Sequence, residues 1–314
     1  MPKPNIVVVI PARNEERTIK KVIQETYEVN RKHKLGNMKI LVVNDASTDN
    51  TGEIAKKFAN KVIRGEGKGL GECMYMGLKE ALVLNPDIIV SIDADGQSDP
   101  KEIPNFVKPI TDGKADMVIG SRFLKPGLIK YKMEFSHLIG NKILALFLRR
   151  VTKLPITDSH GGIRAMKSEV VEKMDTIGAH TYVQETIIDA AMKGFRIIEI
   201  PSIWKKRLYG KTKVVRSIKR YVLWTLPVLL VRTGLHMIFF TAFGIILTLI
   251  GFLLGVYLIF IESFKTSIGI DKYPFLMLVV LLISSGIQIF FFGFLLNLII
   301  QLKNKLDYLI RAKI

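Results

Sequence analysis

Cysteine is almost absent: Cys73 is the only one in 314 residues, which excludes a disulfide framework within the chain and any cysteine-based zinc site. The histidines at 33, 137, 160, 180 and 236 fall at no metal-ligand spacing. No Ser/His/Asp or Cys/His arrangement for nucleophilic catalysis stands out. Repeats and low-complexity linkers are missing, as is the apolar h-region of a signal peptide after Met1-Pro2-Lys3-Pro4-Asn5. Charge is missing from two long stretches, Met237–Ile261 and Phe275–Leu302. Each exceeds the roughly 20 residues that a helix needs to cross the hydrocarbon core of a bilayer. A pair of buried core helices is the competing reading, and charge-free runs of this length are rare in soluble domains.

What is abundant is positive charge, 46 Lys and Arg against 28 Asp and Glu, a net +18. Such an excess suits nucleic acid in some proteins. Here much of it flanks the apolar stretches: Lys205, Lys206, Arg207, Lys211, Lys213, Arg216, Lys219 and Arg220 before the first, and Lys303, Lys305, Arg311 and Lys313 after the second. Anionic headgroups favour each such cation by about 1 kcal/mol. A bilayer is therefore the expected partner and nucleic acid is not. Between the stretches, Glu262, Lys265, Asp271 and Lys272 cancel, so Lys/Arg asymmetry puts the bulk of the chain and both termini in the cytoplasm. Ser217–Val231 mixes cations with Trp224, Leu226, Leu229 and Leu230 and reads as a helix lying in the membrane interface.

Up to about Ser202 the pattern is that of a soluble α/β protein. Strand-like runs (Ile6–Ile10, Lys39–Val43, Val62-Ile63, Ile88–Ile92 and Met117–Ile119) alternate with helix-like segments, the first opening at Asn14-Glu15-Glu16. This alternation predicts a mostly parallel sheet. Ligands of such sheets sit at the carboxyl ends of the strands, and the polar clusters Pro11–Glu15, Asn44–Asp49, Asp93–Gln97 and Ser121-Arg122 fall there.

The most informative cluster is Ser91-Ile92-Asp93-Ala94-Asp95-Gly96-Gln97. Asp93, Asp95 and Gln97 alternate, so an extended turn can project three oxygen donors to one side, as Mg²⁺ or Mn²⁺ sharing a diphosphate requires. The bland reading is a solvated loop capping a helix, and Asp99 before Pro100 is the better cap. Gly65-Glu66-Gly67-Lys68-Gly69-Leu70-Gly71 fits neither the P-loop nor the dinucleotide fingerprint and reads as a flexible helix entry. Asn44-Asp45 reads equally as a base or ribose contact and as a turn. Arg122, Arg164, Arg207 and Lys213 are candidate phosphate ligands only as a group. Glu185 reads as a helix-surface carboxylate rather than a base.

Several stretches resemble one family in order. Val7–Glu15 resembles the opening "VVIPTYNE" of family-two glycosyltransferases of the GT-A fold, and Val42–Asp49 their "VVDDGSxD". Lys68-Gly69-Leu70-Gly71 to Leu78 is similar to "KGLGxAxxxGL", Asp93–Gln97 to "DADxQ", and Gly120–Phe123 to "GSRY". Asp158–Arg164 loosely matches "DxxSGFR". Glu199-Ile200-Pro201 with Arg207–Lys213 resembles "EVP…RxxGxSK", the element of the dolichol-phosphate mannose synthase and polyprenyl-phosphate glycosyltransferase branch. Asn44, Arg13 and Ser159-His160-Gly161-Gly162 depart from the family pattern, and the processive signature QxxRW begins at none of the five glutamines.

The resemblance implies a GT-A-type, Rossmann-like α/β domain over 1–215, a juxtamembrane helix over 216–234, two membrane-spanning helices within 235–302 and a cytosolic tail over 303–314. It implies that Pro11, Arg13, Glu15, Val43 and Asp45 surround the nucleoside of a nucleotide-diphosphate sugar, and that Asp93 and Ala94 border its ribose and diphosphate. Asp93, Asp95 and Gln97 would hold Mg²⁺ or Mn²⁺. Arg207 and Lys213 would serve the donor, and with Arg122 and Arg164 the acceptor phosphate; Asp93, Asp95 and Arg122 would carry the chemistry. The implied reaction is inverting transfer of a sugar to dolichyl or polyprenyl phosphate, for protein or cell-surface glycosylation. A lipid hydroxyl acceptor, or a non-catalytic sugar-nucleotide-binding membrane protein, is the alternative, and a homo-oligomer stays open.

Overall fold

A computed structural model describes residues 3–175, 182–207, 209, 218–262 and 273–311. The chain divides into two compact units, Met1–Leu229 and Leu230–Ile314. In the first, β1 (Asn5–Ala12), α1 (Ile19–His33), β2 (Asn37–Asp45), α2 (Thr51–Phe58), β3 (Lys61–Gly65), α3 (Leu70–Leu82) and β4 (Ile88–Ser91) follow in alternation. A 3₁₀ turn (Pro100–Glu102), α4 (Ile103–Thr111), β5 (Met117–Ser121), α5 (Phe135–Thr152), β6 (Arg164–Lys167), α6 (Ser168–Glu172), α7 (Tyr182–Met192) and β7 (Ile197–Pro201) complete the sheet. α8 (Ile218–Arg232) crosses this division, and the second unit holds its last residues together with α9 (Leu235–Glu262) and α10 (Tyr273–Arg311).

The sheet has seven strands in the order β3-β2-β1-β4-β6-β5-β7. β6 runs antiparallel to both of its neighbours and the other pairings are parallel. Alternate side chains of a strand face opposite sides, and the core is partitioned accordingly. Ile6, Val8 and Ile10 pack with Ile19 and Ile23 of α1 and Phe106 of α4. Val7, Val9, Leu41 and Val43 pack with Met74 and Leu78 of α3 and Ile187 and Ile188 of α7. Helix α3 lies so close to the sheet that a Cβ on Gly77 would stand 2.7 Å from Val9 and 2.8 Å from Val43.

The mostly parallel sheet agrees with the strand–helix alternation, and two local expectations are corrected. The first helix begins at Ile19 rather than Asn14, because Asn14 has a φ of +52°, outside helical geometry. Strand β6 has no apolar run to announce it, because Arg-Ala-Met-Lys is short and charged at both ends.

In the second unit the windows Leu235–Phe260 and Tyr273–Leu302 have mean hydropathies of 2.6 and 2.5, with 11% of each buried. A soluble core helix would be mostly buried, so these are helices that could span a membrane. They touch through small residues: a Cβ on Gly286 would meet Thr248 Oγ1 at 2.3 Å and the Gly244 carbonyl at 2.7 Å. Close backbone approach of this kind is how helices pair in lipid.

Candidate active site

The carboxyl ends of β1 and β2 are stitched together first. Asn14 N–H donates to Ser47 Oγ (3.0 Å), and Asn14 Oδ1 accepts from Thr48 N–H (2.8 Å). Glu15 N–H donates to Thr51 Oγ1 at 2.7 Å. Asp45 is 5% exposed at the end of β2. Its Oδ1 accepts from Gly67 N–H at 2.8 Å, and Arg13 lies 3.6 Å from its Oδ2. Gly67 has a φ of +76°, so the glycine-rich run is a shaped loop rather than a slack one, closed onto Asp45. Pro11 and Val43 are buried beside these loops. Where relatives of the resemblance have Asp, Asn44 accepts from Ser47 N–H at 3.2 Å and so builds the turn.

β4 delivers the acidic cluster. Asp95 Oδ1 accepts from Gln97 N–H at 2.9 Å, and its Oδ2 pairs with Arg207 Nη1 at 2.9 Å. Arg207 Nη2 pairs with Glu15, so one guanidinium joins the ends of β1 and β4. Burial, then the neighbouring Asp95, pushes the Asp93 carboxyl up to about 7, against the opposing pull of Arg164 and Arg207. Among the described residues no group of three or more His, Cys, Asp and Glu side chains could cage a metal by itself. Two carboxylates and the amide of Gln97, whose Nε2 donates to the Lys205 carbonyl at 3.2 Å, supply only hard oxygen donors. That set fits Mg²⁺ or Mn²⁺ completed by phosphate oxygens.

The other half of the edge is cationic. Arg122, at the end of β5, makes a fork with Asp158, Nε–Oδ2 2.6 Å and Nη2–Oδ1 2.7 Å. The two side chains are 7% and 0% exposed. The guanidinium also lies 4.4 Å from the centre of the Trp204 ring. Burial opposes ionisation of Asp158, yet Arg122 and the N–H groups of His160 and Arg122 hold its carboxyl below the usual range. Glu199 of β7 fixes this loop, accepting from Thr157 N–H (2.8 Å) and Asp158 N–H (3.1 Å). Burial raises the Tyr131 hydroxyl above its usual range, and the charges of Arg122, Asp158 and Asp95 all act on it.

Arg164 stands apart from that surface. It is 1% exposed and donates from Nη1 to the Val183 carbonyl (2.9 Å) and Thr186 Oγ1 (2.7 Å). Its charge reaches the site as a field on Asp93 rather than by contact. Ala94 is buried between the two aspartates, and Lys213 lies outside the described residues. Glu185 is 1% exposed, which corrects the surface reading: it lies on α7, a helix that packs against α3 and α5. Asp158, Glu199 and Trp204 were not singled out as site residues from sequence. Asp158 heads a matched stretch and had a signal; Trp204 had none.

The strand ends thus gather a shaped glycine loop, an acidic pair and paired guanidinium groups on a GT-A-like sheet. The chain belongs to glycosyl transferase family 2, whose sequence profile it matches over residues 7–175, and it is a glycosyltransferase. It is 32% identical to the UDP-N-acetylglucosamine–dolichyl-phosphate N-acetylglucosaminyltransferase of Methanococcus voltae, over 68% of this chain and 89% of that one. It is 28% identical to the polyprenol monophosphomannose synthase of Mycolicibacterium smegmatis, over 69% and 83%. In fold it is similar to glucosyl-3-phosphoglycerate synthase from Mycobacterium tuberculosis, crystallised with Mn²⁺, UDP and phosphoglyceric acid. That likeness has a TM-score of 0.57 at 20% identity and covers 74% of this chain and 79% of the other.

Proposed function

We propose that the chain is a membrane-anchored, inverting, metal-dependent glycosyltransferase that moves a sugar from a nucleotide-diphosphate sugar to dolichyl or another polyprenyl phosphate. The observation that carries the proposal is the joining of Glu15 and Asp95 by Arg207 at the strand ends, with Asp93 in their electrostatic field, on the same sheet edge as the Arg122–Asp158 pair. Relatives named for transfer to dolichyl phosphate support the choice of acceptor.

Pro11, Arg13, Glu15, Val43 and Asp45 take the nucleoside, with the Asp45–Gly67 contact closing the glycine-rich loop beside them. Asp93, Ala94, Asp95 and Gln97 face the ribose and diphosphate. A bound Mg²⁺ or Mn²⁺ would neutralise charge on the departing nucleoside diphosphate. Arg207 and Lys213 serve the donor's phosphates. Arg122 receives the acceptor phosphate, its fork fixed by Asp158 and its plane by Trp204. A phosphate monoester is anionic near neutral pH, with a second pKa of about 6. Its oxygen attacks the anomeric carbon without a protein base, and the sugar's bond to the nucleotide breaks on the opposite face. The basic segments that flank the apolar helices keep the active site on the cytoplasmic surface.

The test supplies purified full-length protein in detergent with Mn²⁺, polyprenyl phosphate and a panel of UDP- and GDP-sugars. The expected product is one polyprenyl-phosphate sugar seen by mass spectrometry, lost in Asp95→Ala. Donor binding without product from any phosphate acceptor would sink the proposal.

A further inference from the structure

The chain after β7 is pinned along the loop that carries the acidic cluster. Ser202 Oγ (2.7 Å) and Ile203 N–H (2.9 Å) donate to Glu102. Lys205 N–H donates to the Gln97 carbonyl at 2.8 Å, Gln97 Nε2 returns a bond to the Lys205 carbonyl at 3.2 Å, and Lys205 Nζ pairs with Asp99 at 2.7 Å. This strap ends at Arg207, whose guanidinium reaches Asp95 across 112 residues of sequence and Glu15 across 192. Arg207 is 14% exposed, Asp95 15% and Glu15 8%, so the charges are little screened by solvent.

We propose that Arg207 is an internal counter-ion that occupies the cation's place at Asp95 in the nucleotide-free enzyme and makes divalent-metal binding depend on the nucleoside diphosphate. The inference rests on reading Asp93 and Asp95 as the metal site. A divalent ion arriving alone must compete with a guanidinium for Asp95 Oδ2 and then stand beside it, positive against positive. An ion arriving with a diphosphate brings an anion that suits a guanidinium fork at least as well as a carboxylate does. Arg207 then exchanges carboxylate for phosphate, and Asp95 is released to the metal. Because the strap is bonded to the same loop, this exchange needs a shift of the guanidinium and not of the backbone.

The experiment titrates Mn²⁺ into the detergent-solubilised full chain and follows the free-ion signal by electron paramagnetic resonance. It is run without nucleotide, with UDP and with GDP. Wild type is expected to bind Mn²⁺ weakly alone and tightly with one nucleotide. Arg207→Gln should bind Mn²⁺ alone about tenfold more tightly, a change of about 1.4 kcal/mol, and Mn²⁺ with nucleotide more weakly than wild type. Arg207→Lys, which keeps the charge and loses the fork, should fall between the two for Mn²⁺ alone. Opposite signs in the two titrations separate this role from a structural one, which would weaken both. Metal-alone binding unchanged or weakened in both variants, with wild type loading normally beside nucleotide, overturns the counter-ion role only. No Mn²⁺ bound by wild type under any condition overturns the metal site as well.

Discussion

Along the carboxyl edge of the sheet, β1, β2 and β4 build their part of the site from adjacent loops, whereas β5, β6 and β7 build theirs from a buried ion pair. On the first side Asn14, Ser47, Thr48, Thr51 and Gly67 exchange backbone-directed hydrogen bonds, and the carboxylates face inward toward a single guanidinium. On the second, Arg122 and Asp158 are closed on each other, backed by Glu199 and Trp204. On the proposed function, the acidic side suits a ligand that brings positive charge and a diphosphate, and the basic side suits an anion, its buried arginine neutralised by an internal carboxylate. The comparison teaches that the two halves of the edge are separate constructions with separate vulnerabilities.

Breaking the basic side costs stability first. Asp158→Ala leaves Arg122 buried without its partner and should destabilise the protein by about 3–5 kcal/mol, measured by chemical denaturation. Removing both charges with Arg122→Met and Asp158→Leu should restore much of that loss, while activity stays absent. A single variant as stable as wild type would mean that the pair is not buried in solution. Breaking the acidic side costs turnover instead. Asp95→Ala should lower kcat by roughly 10²–10³ with a much smaller change in melting temperature than Asp158→Ala.

The basic side should also be sensitive to acid. Burial, then the charge of Arg122, lowers the His160 imidazole to about 4, and its Nδ1 lies 2.7 Å from Ser159 Oγ. The unfolded chain protonates this histidine near 6.5 while the folded chain resists, so stability is full above that pH and falls as pH drops toward 4. The loss at that end is about 3 kcal/mol, and His160→Gln should flatten this segment of the pH–stability curve. Equal acid sensitivity of the variant would contradict the assignment. Two smaller effects sharpen the contrast on the donor side. Gly77→Ala crowds Val9 and Val43 of β1 and β2 and should cost about 1–3 kcal/mol in thermal unfolding. Arg13 is 48% exposed, and Arg13→Ala should raise the donor KM by no more than about 1 kcal/mol equivalent.

The two sides also differed in how far they could be read from sequence. The strands β1, β2 and β4 are apolar runs ending in polar clusters, and the motifs matched there are contiguous in sequence, so the positions of Asp45, Asp93, Asp95 and Gln97 at or just beyond strand ends could be read in order. The pairs Arg122–Asp158, Asp95–Arg207 and Glu15–Arg207 join positions separated by 36, 112 and 192 residues, and no local period announces them. β6 carries no apolar run either: four residues with cationic ends look exposed until the sheet encloses them. The apolar α9 and α10 were legible throughout, because their hydropathy alone separates them from helices such as α7, which buries Glu185.

The central claim is that the acceptor is an anion that needs no protein base. It is tested most directly by offering the enzyme, with its one active nucleotide sugar and Mn²⁺, an equal mixture of polyprenyl phosphate and the corresponding polyprenol, and identifying the glycolipid by mass spectrometry. The account predicts sugar on the phosphate alone, with an inverted anomeric centre. Sugar on the alcohol with the phosphate untouched would contradict it, and would mean that a base among these carboxylates deprotonates a hydroxyl.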